Sequence, residues 1–178
     1  MWKILFATLL LAAPPSLPGK LSQGIGSLPY YVDPSASFAA VPTAAADWTH
    51  SGHGNPIKLS RTIDSQQATI NAYGGSLAAD TYAWTECYDS SGEPVATGGQ
   101  APTQDYDWVK ITFNNNFMSS PVEKNGTIAR HELGHALGLG HITVSDLKSI
   151  MKPIFGSNDK LSVDKAAAQK VREIYGKK

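Results

Sequence analysis

Cysteine is nearly absent: Cys87 stands alone in 178 residues. No internal disulfide can form, so the fold has to rest on a hydrophobic core. Cys87 itself reads as a small buried hydrophobe in a strand. An excess of charge of either sign is also missing, since 15 Lys and Arg balance 15 Asp and Glu. Without a basic stripe, nucleic acid is not an expected partner, and no run of like charge marks an interaction tail. No apolar run approaches the 18 or so residues a membrane span needs. Disorder is excluded by composition, with 42% hydrophobic and 17% charged residues. The length suits one domain with a real core.

The longest apolar stretch lies at the start. Met1-Trp2-Lys3 forms a short positive region, residues 4–13 are apolar apart from Thr8, and Pro14-Pro15-Ser16-Leu17-Pro18-Gly19 breaks any helix. That order is the pattern of a secretory signal peptide. We expect residues 1–19 to be removed and the protein to be exported to the extracellular space. No cysteine follows to carry a lipid, so no stable membrane anchor is expected. Residues 20–27 read as a linker or short pro-segment, and residues 28–178 as a single domain, expected to be a monomer.

Hydrophobic patterning predicts a first strand at 28–32. Phe38, Val41, Ala45 and Trp48 are spaced for a helix that should stop at Ser51-Gly52-His53-Gly54. Strands are expected at 57–61, 68–73, 81–88 and 108–113, with Gly74-Gly75, Ser90-Ser91-Gly92 and Gly98-Gly99 as punctuation. Helical spacing takes over from Thr127 through Ile128, His131, His135 and Leu139. A last helix over 162–175 has Ala166–Ala168, Val171 and Ile174 as its apolar face. The order of elements predicts an α+β domain.

Residues 131–141 read H-E-L-G-H-A-L-G-L-G-H. Positions i and i+4 of a helix share a face, so His131 and His135 can reach one ion. Neutral imidazole is a good zinc ligand, and three protein ligands leave a fourth tetrahedral position for water. A continuous helix would carry His141 about 240° away from His135. The chain must therefore turn back, and Gly138 can stop the helix because glycine accepts positive φ at little cost. Glu132 projects at a different angle from its neighbours. In this motif it is the general base toward the water that the ion activates. With average residue usage, the complete pattern arises by chance in roughly one such chain in a hundred thousand, too rarely for incidental histidines.

These residues resemble the metzincin clan of zinc peptidases, whose motif H-E-x-x-H-x-x-G-x-x-H is followed by a methionine turn. Ser149-Ile150-Met151-Lys152-Pro153 resembles that turn, with Met151 beneath the metal. Within the clan the chain is most similar to the matrixins. Pro153-Ile154-Phe155 fits their Pro-x-Tyr with Phe155 in place of the tyrosine, and the stretch from Leu161 to Gly176 resembles their closing helix. The resemblance implies a twisted mixed sheet with two main helices above a cleft, and a lower part carrying the Met-turn and the C-terminal helix. It implies one catalytic zinc and a protein or peptide substrate. It also implies a pocket beside the metal, with Thr127 and Ile128 on one wall and Pro153 to Phe155 on the other, and with Thr127 setting depth unless it serves only as the helix N-cap.

Three departures stand out. There is no P-R-C-G latency sequence. The middle region lacks the histidine-rich loop for a structural zinc. Calcium loops are not recognisable, and Asp105 and Asp107 read more simply as solvated carboxylates. His50 and His53 read as residues at a helix C-terminus. Two other functions stay open at this point: a zinc-fold binding protein without turnover, and a peptidase dedicated to one target.

Overall fold

A computed structural model describes residues 18–37, 39–98, 101–117, 122–142, 148–153 and 161–176. The apolar stretch 4–13, Phe38, Ile154 and Phe155 lie outside the described residues.

Five strands form the main sheet. β1 (Leu28–Val32), β2 (Leu59–Arg61), β3 (Ile70–Gly75), β4 (Ala83–Tyr88) and β7 (Trp108–Asn114) lie in the order β2-β1-β3-β7-β4. The first four in space run parallel, and β4 closes one edge antiparallel to β7. β5 (Thr97–Gly98) and β6 (Ala101–Pro102) make a separate two-stranded ribbon. The helices are α1 (Val41–Thr49), α2 (Val122–Ala136) and α3 (Lys165–Tyr175). The mixed sheet with three helices is the expected α+β arrangement.

Period-2 burial aims one face of the sheet at the helices. Leu28, Tyr30 and Val32 of β1 are buried, as are Ile70 and Ala72 of β3 and Val109, Ile111 and Phe113 of β7. They pack with Trp48 of α1 and Leu133 of α2 in one core. Cys87 belongs to it. The other face of β4 is pinned to β7 by Tyr88 stacked on Trp108, with centroids 4.0 Å apart, and by the Lys110–Glu86 ion pair at 3.4 Å.

Several boundaries differ from the sequence reading. Residues 20–27, expected as a linker or short pro-segment, pack against the rest of the domain. Leu21 and Ile25 are buried, Leu21 bridges to Tyr106, and the Leu21 amide donates to the Tyr175 hydroxyl at 3.0 Å. Two apolar side chains separated by polar ones were too few to give a period. α1 begins at Val41, with Pro42 in its first turn, where a missing N–H costs nothing. β2 is shorter than expected because Ile57 is spent on the core and only Leu59–Arg61 pair with β1. α2 begins at Val122, more than one turn before Thr127, so Thr127 is inside the helix and is not its N-cap. α3 begins at Lys165, and Ala166 is exposed, leaving Ala167, Ala168, Val171 and Ile174 as the buried face.

Candidate metal centre

α2 and the turn after it bring the three histidines together. Gly138 has φ 87°, the left-handed conformation that ends a helix most cheaply in glycine. A Cβ there would also come within 2.7 Å of the Gly19 carbonyl oxygen. The chain reverses, and His141 Nε2 arrives 3.2 Å from His131 Nε2. His131 and His135, one turn apart, face each other with Nε2 atoms 2.9 Å apart. All three donor nitrogens lie within 4.8 Å of one another.

The tautomers follow from the partners. His131 Nδ1 is 2.7 Å from the Ile150 carbonyl and His135 Nδ1 is 2.7 Å from the Leu139 carbonyl. A carbonyl oxygen only accepts, so each Nδ1 carries the proton. Burial, with neighbouring imidazoles, drives the pKa of His131 down to about 3, and burial drives that of His135 down to about 4. Burial lowers His141 as well. Neutral rings protonated on Nδ1 turn their Nε2 lone pairs toward one another, an arrangement that suits a cation between them. Tetrahedral zinc with bonds of roughly 2.0–2.1 Å would hold donors about 3.3–3.4 Å apart, close to the 2.9 and 3.2 Å that separate His131 Nε2 from its two neighbours. The donor set therefore fits zinc.

Beneath the site lies the methionine turn. Met151 is fully buried, and Gly134 sits directly against it: a Cβ at 134 would overlap the Met151 sulfur and lie 3.3 Å from Trp48. Asp164 holds the turn in place. Its Oδ2 accepts from Ser149 Oγ at 2.9 Å and from the Ile150 amide at 2.8 Å, while its Oδ1 caps α3 through the Ala167 amide at 2.9 Å. The Ile150 carbonyl is the partner of His131, so this network orients a candidate ligand through one residue of backbone. On the far side of α2, Trp48 Nε1 donates to the Arg130 carbonyl at 2.8 Å and Arg130 pairs with Asp47 at 2.5 Å, fixing α2 against α1.

Glu132 is 6% exposed and borders the cleft. Burial pushes its carboxyl up to about 7, against the lowering effect of a hydrogen bond from Thr85. That bond, Thr85 Oγ1 to Glu132 Oε2, measures 2.5 Å. The cleft, about 220 Å³, has residues 80–85 along one side, the three histidines and Glu132 at its floor, and Ile128 and Pro153 beside them.

Of the residues expected in the site, His131, Glu132, His135, His141, Ile128 and Pro153 meet at the cleft. Thr127 does not line it: it is buried, and its Oγ1 accepts the Leu161 amide at 3.2 Å. Phe155 is outside the described residues. Asp105 takes the Lys20 amide at 3.1 Å. His50 caps the end of α1, and the His53 carbonyl accepts from Arg172. Three functional contributors escaped the sequence reading. Gly134 had a signal, a glycine inside a helical pattern. Asp164 had half of one, an N-cap residue before an apolar run. Thr85 had none.

A mixed sheet crossed by a histidine-bearing helix, a reversed third histidine and a buried methionine turn define a zinc peptidase of the metzincin type. The chain matches the matrixin family over residues 71–176, more than half its length, and belongs to that family of zinc metallopeptidases. No curated protein matches it. Among the described residues no helix is long and apolar enough to cross a membrane.

Proposed function

We propose that this chain is an exported zinc-dependent endopeptidase with His131, His135 and His141 as ligands and Glu132 as general base. One observation carries the reading: three imidazole Nε2 atoms converge beside a buried carboxylate at the floor of an open cleft. Zinc held there would activate a water and polarise the scissile carbonyl. Glu132 takes a proton from the attacking water and returns it to the leaving amine, serving as a shuttle and not as a ligand. The carbonyls of Ile150 and Leu139 keep His131 and His135 in the ligating tautomer throughout.

The substrate is a protein or peptide lying along the cleft. Ile128 and Pro153 make the described wall beside the histidines apolar. An apolar residue just after the cut bond is the expected preference. Export rests on the apolar 4–13 stretch and its flanks. The buried base argues against a binding protein without turnover, which has no use for one.

The test is a pair of variants. Glu132→Ala is expected to keep fold and zinc and to lose roughly 10²–10⁴-fold in peptide hydrolysis. His135→Ala is expected to lose zinc itself. Near-normal turnover by Glu132→Ala would refute the mechanism.

A further inference from the structure

We infer that Thr85 is a positioning residue: its hydroxyl holds one oxygen of the Glu132 carboxylate and leaves the other turned toward the cleft. The inference deepens the peptidase reading and rests on it. Backbone placement by α2 fixes only the start of the Glu132 side chain, and three rotatable bonds separate that start from the carboxylate. A carboxylate that is nearly buried needs hydrogen-bond partners. Thr85 supplies one at 2.5 Å, in the range of a hydroxyl donating to a charged oxygen. The hydroxyl has a single proton. Its other acceptor, the Glu132 carbonyl, is 3.4 Å away, so the carboxylate receives it.

The donor stands on a rigid support. Thr85 is paired with Ile111 in the middle of the β4–β7 ladder, and a β-branched side chain has few rotamers. Strand alternation puts Ala83, Thr85 and Cys87 on the helix-facing side of β4. Of the three, only threonine is a strong donor. The sheet edge along the cleft thereby reaches the base directly. A base that wanders occupies its reactive geometry less often, which lowers kcat without changing how substrate binds.

Thr85→Val removes the hydroxyl and keeps the shape. We expect its zinc content and KM to match the parent enzyme, kcat to fall about tenfold or more, and Thr85→Ser to recover most of the loss. Crystal structures of the zinc-free Val and Ser variants supply a readout independent of turnover: Glu132 should leave its place in the first and keep it in the second. If Thr85→Val does not fold, Thr85→Ala takes its role. An unmoved Glu132 with unchanged kcat would overturn the inference, and so would Ser performing no better than Val. A parallel fall in kcat, zinc content and melting temperature would also overturn it, marking a structural role. If the zinc-loaded parent cleaves no peptide, the peptidase reading fails, while the position of Glu132 in the variants still decides the role of Thr85.

Discussion

Asp164 accepts the Ile150 amide at 2.8 Å, and through that contact the start of the last helix and His131 of the histidine cluster share one carboxylate. The Ile150 carbonyl holds His131 at 2.7 Å, and the second Asp164 oxygen caps α3. Asp164→Ala removes the cap, for about 0.5–2 kcal/mol, and strands buried donors at Ser149 and Ile150, for about 1–3 kcal/mol more. We expect urea unfolding to show a loss of roughly 1.5–5 kcal/mol. Zinc affinity, read by chelator competition, should weaken about 10–100-fold because His131 loses its brace. Asp164→Asn, with one acceptor oxygen left, should fall between. Unchanged zinc affinity in the Ala variant would disconnect the cap from the site.

Gly134 offers a test of sign. Helix propensity alone makes Gly134→Ala stabilising by about 1 kcal/mol. The Met151 sulfur and the Trp48 ring occupy the space a methyl would need, and overpacking of a core costs about 1–3 kcal/mol. Destabilisation is therefore expected. Met151→Ala should relieve it, making the double variant more stable than the sum of the two single effects. Additivity in the cycle would count against the contact.

Cys87 makes stability fall at high pH. Burial raises its thiol from 9.0 in the open chain to about 12 in the fold. The unfolded chain ionises first, so the contribution is intact below pH 9 and is lost as pH climbs from about 9 toward 12, at about 1.4 kcal/mol per unit. The buried Tyr106 and the partly buried Tyr175 are raised by burial too and add to the fall. The difference between the parent and Cys87→Ala isolates the thiol. Denaturant midpoints of the two should converge between pH 8 and about 10.5. Parallel curves would mean that the thiol is not sheltered.

The proposed pocket beside Ile128 and Pro153 predicts a side-chain preference after the cut bond. Burying a Leu or Phe there is worth roughly 1.5–3 kcal/mol, about tenfold to a hundredfold in kcat/KM. A peptide series varied at that residue alone should rank Leu and Phe above Ala, and Ala above Asp and Lys. Equal cleavage of Asp and Leu peptides would place the pocket elsewhere. Thr127→Arg, by contrast, should destabilise the protein, since Thr127 is buried and bonded to the Leu161 backbone.

Local patterns exposed much of the fold and the metal centre. A strand at 28–32 and a histidine pair one turn apart are periodic signals, and those survive folding because side-chain direction follows from backbone geometry alone. Boundaries slipped where a tertiary contact outweighed local preference: Leu21 and Ile25 packed into the core, Thr127 was absorbed into a longer α2, and Ala166 turned outward.

The eleven residues from His131 to His141 determined by themselves the candidate ligands, the adjacent carboxylate and the need for a reversal at Gly138, because all three depend on spacing within one helix and one turn. Only the tertiary structure decided which distant groups serve that motif. Thr85 meets Glu132 from 47 residues away, and Ile150 meets His131 from 19. Such partnerships are set by how β4 pairs with β7 and how α3 draws in the methionine turn. No local pattern encodes a contact whose two halves are positioned by different elements.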